Sequence, residues 1–256
     1  MRLGDYIRRY VMAPAGETDM DGGRPSWATP PYVKQFDLLS AFPELSDDLL
    51  PVAGDPAVSP SAVFPPSVRH LTYYAWLGIP SSVTGLHSDD EDNILVMLQG
   101  WKQVVVIPPS DAQYCSVNDK FDCGTECCDV CPVAPNLDEF PEFRHARRFV
   151  AILGPGDALV LPIGWFHHVT SLSPSVSLNI FASTTWQWVW RGAPRALLQG
   201  LHDLGLYKPS HCVCHDAEDA EDAEHGSIRQ RLWARLSTLG VVAAVGVGSL
   251  VLKARK

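Results

Sequence analysis

From Leu71 onwards the chain is written as short strand-like runs, and that pattern constrains its fold more than any other feature. The runs are Leu71–Leu77, Asn93–Leu98, Lys102–Ile107, Phe149–Leu153, Ala158–Leu161 and Val176–Phe181. Each is bounded by Gly, Pro, Asp or Ser, and helical periodicity is absent, so each reads as a strand. Several short strands separated by turn signals specify a sandwich, a barrel or a double-sheet jelly roll. Residues 1–70 are instead punctuated by Pro and Gly, as at Asp21-Gly-Gly-Arg-Pro25 and Pro65-Pro66, which favours loops and short helices. After the last run, Trp186–Tyr207 reads as a helix with apolar Leu197, Leu198, Leu201, Leu204 and Leu206. There is no internal repeat.

Size and charge narrow the class. The 256 residues are 46% hydrophobic and 19% charged and include eight tryptophans, which excludes a disordered chain. The net charge of −9 argues against a general nucleic-acid binder, whose affinity rests on clustered Lys and Arg. All of the excess lies in residues 1–208, with 23 acids against 14 bases, and an acidic domain suits a basic peptide better than a polyanion. The N-terminus has no apolar segment of the kind a secretory signal needs, so disulfides are disfavoured and clustered cysteines lean towards metal or redox chemistry.

The sharpest chemistry is His87-Ser88-Asp89 together with the distant Trp165-Phe166-His167-His168. On a strand, residues i and i+2 share a face, so His87 and Asp89 point the same way. A second imidazole from a later strand would complete a facial triad of two histidines and one carboxylate, a ligand set suited to Fe(II) with open positions. A His-x-Asp pair alone arises often by chance. Here the first motif sits in Thr84-Gly-Leu-His87-Ser-Asp89-Asp-Glu-Asp-Asn93, followed by Gly100-Trp-Lys102 and Pro108-Pro109. The second sits in Gly154-Pro-Gly-Asp157-Ala-Leu-Val-Leu-Pro162-Ile-Gly-Trp-Phe-His167-His168.

Together these motifs closely resemble the JmjC family of Fe(II)- and 2-oxoglutarate-dependent oxygenases, over about Tyr6 to Phe181. The nearest likeness is to the small JmjC protein hydroxylases, the factor-inhibiting asparaginyl hydroxylase and arginyl hydroxylase groups. Tyr32-Val-Lys-Gln-Phe-Asp-Leu-Leu, Phe42-Pro-Glu-Leu-Ser-Asp-Asp and Phe140-Pro-Glu-Phe are similar to the arginyl group in particular. The resemblance implies a mainly β fold, a double-stranded β-helix of the cupin or jelly-roll kind with flanking helices. It also implies a further strand-rich segment ahead of Tyr6, where this chain starts.

By position, His87, Asp89 and His167 match the family's iron ligands, leaving His168 a structural or supporting role. Lys102 matches the residue that pairs with the distal carboxylate of 2-oxoglutarate, since a buried carboxylate needs a fixed counter-charge. Taken alone it would read as a solvated strand lysine. Thr84 and Tyr32 match hydroxyls that bond the same carboxylate. Asn93 matches a polar residue near the co-substrate, and Asn179 sits on the strand facing the metal. Trp76 and Phe181 fall where the family places aromatics around its substrate, although Trp76 reads equally well as a core aromatic. The activity implied is hydroxylation of a protein side chain, coupled to conversion of 2-oxoglutarate into succinate and carbon dioxide. The alternatives are a JmjC lysine demethylase and a catalytically inactive, membrane-tethered binding module.

Two features lie outside that pattern. Cys123, Cys127, Cys128 and Cys131, in an insertion at about 115–131, and Cys212 and Cys214, beyond the core, have spacings that can wrap a structural zinc. Redox-active or disulfide-forming thiols and uncommitted loop cysteines are the other readings. The second feature is the C-terminal tail. An acidic linker (209–227) precedes a segment (228–256) whose run 236–252 is uncharged and basic-flanked, and its 17 residues would cover about 26 Å as a helix. It reads as a single hydrophobic helix anchoring the domain 1–208 to an organelle membrane, catalytic side to the cytosol. A buried or docking helix is the alternative, with a cytoplasmic or nuclear protein.

Overall fold

The computed structural model describes residues 6–8, 32–45, 64, 66–209 and 211–213. The chain divides into two units, Met1–Ala196 and Leu197–Lys256. The first holds ten strands: β1 (Tyr32–Phe36), β2 (Val68–Gly78), β3 (Val83–Asp89), β4 (Asp92–Gln99), β5 (Lys102–Ile107), β6 (Thr125–Cys127), β7 (Phe149–Leu153), β8 (Ala158–Leu161), β9 (Phe166–Ser171) and β10 (Ser175–Thr184). They form two antiparallel five-stranded sheets, in the orders β1-β2-β10-β4-β8 and β6-β3-β9-β5-β7. From β2 to β5 and again from β7 to β10, successive strands alternate between the sheets, the winding of a double-stranded β-helix.

The six runs read as strands from the sequence all lie within strands. Strands β1, β3, β6 and β9 contain none of these runs; β3 and β9 carry the His87–Asp89 and His167 motifs instead. β6 is a three-residue strand held by its pairing with β3, as His87↔Cys127, Ser88↔Glu126 and Asp89↔Thr125. A short helix, α1 (Leu38–Ala41), follows β1 and is capped by Asp37, whose carboxylate accepts from Ser40 N.

One cluster joins the facing sides of the two sheets: Leu95 and Met97 from one, Val104 and Val169 from the other, closed by Leu153 and Leu161. The outer face of the first sheet is also covered, with Ile94, Val96, Ile180 and Ala182 packed against Phe64. Burial on both faces explains why Ile94–Leu98 reads as an unbroken apolar run. The outer face of the second sheet is sealed by the long connection between β5 and β7. From it Cys115, Val130, Phe143 and Ala146 pack onto Leu86, Ile107 and Phe166. Arg147 clasps Asp111 at 2.8 and 3.0 Å, which ties the two ends of that connection together.

After β10, α2 (Thr185–Gln187) starts from a capping box at Thr184 and passes through a π-helical stretch, Trp188–Gly192, into α3 (Ala193–Asp203). The helix expected to reach Tyr207 stops at Asp203. Gly205 adopts φ +71° and the amide of Leu206 donates to Leu201 O at 2.8 Å, a left-handed C-terminal cap. The acidic and apolar parts of the tail and Cys214 lie outside the described residues. Among the described residues no helix is long and apolar enough to cross a membrane.

Phe143 is fully buried between the connection and the second sheet. Replacing it with alanine is expected to cost about 3–5 kcal/mol, read as a lowered denaturation midpoint. An unchanged midpoint would show that the connection does not contribute to the core.

Candidate metal centre

Two strands bring the triad together. His87 on β3 and His167 on β9 are directly paired in the ladder, and their ring centroids lie 4.1 Å apart. Asp89 is the last residue of β3, two beyond His87 and so on the same face. Its Oδ1 lies 3.8 Å from His87 Nε2 and its Oδ2 3.6 Å from His167 Nε2. Among the described residues this is the one group of three or more His, Cys, Asp or Glu donors that converges, with all donor atoms within 4.8 Å of one another. His168 falls on the opposite face of β9, paired with Val105.

The electrostatics suit a cation. His87 Nδ1 lies 2.8 Å from Gly85 O and His167 Nδ1 3.1 Å from Trp165 O. Each Nδ1–H therefore donates to a main-chain carbonyl, leaving the Nε2 lone pairs for the centre. Burial, aided by the neighbouring His167, holds His87 down to about 4, and burial holds His167 down to about 4, so both rings are neutral at pH 7. Burial pushes the Asp89 carboxyl up, against the pull of His87. Two imidazoles and a carboxylate form a donor set that fits a divalent iron. Two bonds of about 2.1 Å can bridge donors up to about 4.2 Å apart, which covers both carboxylate–imidazole gaps.

A second polar group lies between the sheets. Lys102 is 1% exposed, yet its Nζ meets a hydroxyl, Ser177 Oγ at 2.8 Å, and no carboxylate partner among the described residues. Burial therefore drives its ammonium down to about 7. The Tyr32 ring lies 5.8 Å from that nitrogen, and the Tyr32 hydroxyl is 3.1 Å from Thr84 Oγ1. Trp76, 5.9 Å from Tyr32, has a buried Nε1–H with no partner among the described residues. A buried cation lacking its counter-charge, with hydroxyl and N–H donors nearby, fits a carboxylate ligand.

Thr84 joins this group because β3 carries a bulge. Thr84 pairs with Val169 and His87 with His167, three residues against two, so both face inward despite their odd spacing. Asn179 donates to Asn93 Oδ1 at 3.2 Å, both buried. Phe181 lines a cavity of about 540 Å³ with Asp89, His70, Tyr74, Trp188 and Arg195, whereas Trp76 does not. Ser177 was invisible to sequence reasoning as a site residue, although it lies two positions before Asn179 and so shares its face.

Among the described residues the cysteines do not converge on one point, and Cys214 lies outside them. Cys127 and Cys128 are consecutive, so their side chains diverge: Cys127 pairs across from His87, while Cys128 packs on the core behind the sheet. Burial pushes the Cys127 thiol up to about 12 and raises that of Cys128 as well. Among the described residues, Cys123, Cys127, Cys128, Cys131 and Cys212 contribute to no converging donor group.

Residues 4–185 match the family described as cupin-like domain. Among curated proteins, tRNA wybutosine-synthesizing protein 5 of Danio rerio is 34% identical over 62% of this chain and 41% of its own length. JmjC domain-containing protein F of Dictyostelium discoideum is 29% identical over 71% of this chain and 41% of its own. Lysine-specific demethylase 8 of Xenopus tropicalis is 28% identical over 72% of this chain and 37% of its own. The chain thus spans about two fifths of the length of these relatives. Its winding of strands, its inward His–Asp–His group and these matches make the chain a member of the cupin-like JmjC domain family.

Proposed function

We propose that the chain is an Fe(II)- and 2-oxoglutarate-dependent dioxygenase that hydroxylates a side chain of a protein or peptide. The observation that carries this reading is the convergence of His87, Asp89 and His167 on one point. When bound, iron with 2-oxoglutarate and dioxygen supplies the oxidising power for C–H hydroxylation, with succinate and carbon dioxide as co-products. The chain's residues hold and orient. His87 and His167 present Nε2, and Asp89 its carboxylate, while the carbonyls of Gly85 and Trp165 fix the ring tautomers. Lys102, steadied by Ser177, receives the distal carboxylate, with Tyr32 and Thr84 as hydroxyl donors. The Asn93–Asn179 amide pair borders the co-substrate, and Phe181 with Tyr74 walls the substrate side. Leu95, Met97, Val104 and Val169 keep water from the other end of the interior. The oxygenase domain is assigned to 1–208, with the apolar run 236–252 as a membrane tether.

A second reading, oxidation of a nucleoside in RNA, is favoured by the relative named tRNA wybutosine-synthesizing protein 5. Demethylation of lysine is favoured by the relative named lysine-specific demethylase 8. The net charge of −9, with Asp90 and Glu91 lining the cavity, supports a neutral or basic peptide over a polyanion.

With Fe(II), ascorbate and 2-oxoglutarate, the full chain is expected to release succinate, and His87→Ala to fall to background. A wild type that shows no turnover, coupled or uncoupled, would leave a binding module. Product mass then sorts the enzymes: a peptide that gains one oxygen is hydroxylated, one that loses a methyl group is demethylated, and oxygen gained by tRNA alone selects the RNA reading.

Lys102 gives a test by pH. In the protein without co-substrate its pKa of about 7 lies below the unfolded value of about 10.4. The unfolded chain holds the extra proton between these values, so the stability of the free protein rises as pH climbs from about 7 to about 10. Lys102→Met is expected to flatten that rise, to raise the melting temperature at pH 7, and to weaken 2-oxoglutarate binding by about 10- to 100-fold. A variant that melts lower than wild type at pH 7 would contradict the buried, unpaired ammonium. For the tail, detergent but not salt is expected to release the chain from membranes; release by salt alone would remove the tether.

A further inference from the structure

The three triad residues are not held equally. His87 and His167 are locked to each other by the ladder, whereas Asp89 ends β3 at the turn into β4, and its ladder partner is Thr125 of the three-residue edge strand β6. A carboxylate paired on one side to so short a strand relies also on the turn that follows it. The next residue, Asp90, is gripped from every side. Its N–H donates to Gly124 O at 3.0 Å, and its carbonyl accepts from Arg191 Nη1 at 3.2 Å. Its carboxylate Oδ1 accepts from Arg195 Nη1. The same guanidinium reaches Glu91, with Nη2 3.6 Å from Oε2. On the other side of Asp89, the amide of Gly164 donates to its carbonyl at 3.0 Å. Gly124, at φ +78°, lets this happen: a Cβ there would overlap both the Arg195 guanidinium and the Asp90 carboxylate.

We propose that Arg195, aided by Arg191, is a positioning residue for the metal centre, clamping the Asp90–Glu91 turn so that the Asp89 carboxylate meets the two imidazoles. The proposal rests on the reading of the triad as a metal site. The helical segment after β10 thereby acts on the centre without touching it. The clamp is partly exposed, with the Arg195 side chain at 23% and that of Asp90 at 31%. Exposed or half-exposed ion pairs add little to stability. Loss of a residue that orients a metal ligand, by contrast, weakens metal affinity by about 10- to 100-fold. The two roles therefore separate in one experiment.

The test titrates Mn(II) into the full chain under anaerobic conditions and follows free Mn(II) by electron paramagnetic resonance, with melting curves recorded alongside. Arg195→Met and Asp90→Asn are expected to bind Mn(II) about 10- to 100-fold more weakly than wild type, with melting temperatures close to it. Gly124→Ala, which pushes on the clamp from the opposite side, is expected to act in the same direction. Arg195→Lys keeps the charge but not the fork, and is expected to recover part of the loss. Wild-type affinity in both folded Arg195→Met and Asp90→Asn would overturn the proposal. If Arg195→Met fails to fold, Asp90→Asn decides it. A wild type that binds Mn(II) no better than His87→Ala would sink the metal reading itself, and the clamp with it.

Discussion

The main-chain pairing of His87 with His167 is the constraint on which the rest of the centre depends. A ladder pair fixes two side chains on one face within a few ångströms of each other, with no help from their own chemistry. Asp89 then follows from strand alternation, and Thr84 from the bulge that adds one residue to β3. The second sheet thereby faces inward with two polar sets at different heights, the triad and Lys102, while Val104 and Val169 fill the space between them. The first sheet supplies Ser177, Asn179 and Phe181 from alternate positions of β10.

A sandwich normally turns its apolar residues inward and its polar residues to water. On β10 the order is reversed: Ile180 and Ala182 pack outward against Phe64, and Ser177 and Asn179 lie inside. The reversal is tolerated because the outer faces are covered as well, so apolar burial comes from outside the sandwich as much as from its centre. Lys102 shows the strain of this arrangement. Its ammonium is buried and meets one hydroxyl, that of Ser177, so the free protein holds a destabilised cation that a dicarboxylate would relieve.

Much of this was legible in the sequence. The six apolar runs between turn residues located six strands, and the His-x-Asp and distant histidine picked out the three side chains that converge, because both signals are local and periodic. The failures share a cause in non-local pairing. β6 has three residues and no apolar signature, and it exists because β3 offers it an edge. The inward turn of Thr84 depends on a bulge that strand alternation alone does not announce. Ser177 reads as a solvent-facing serine unless the cover over the opposite face is known. The cysteine spacings resemble a zinc pattern, yet the consecutive Cys127 and Cys128 turn to opposite faces, each half-buried and apart from the other. Asp90 and Arg195 stand 105 residues apart, and nothing in either neighbourhood points to the other.

The π-helical stretch Trp188–Gly192 has a bearing on how such a chain can vary. It lies between Trp188, which lines the cavity, and Arg195, which meets the turn beside Asp89. Each residue of a helix turns the chain by about 100°. Losing or gaining one residue there would swing Arg195 away from Asp90 while leaving every strand intact. The length of the segment is thus fixed by a carboxylate in another part of the fold.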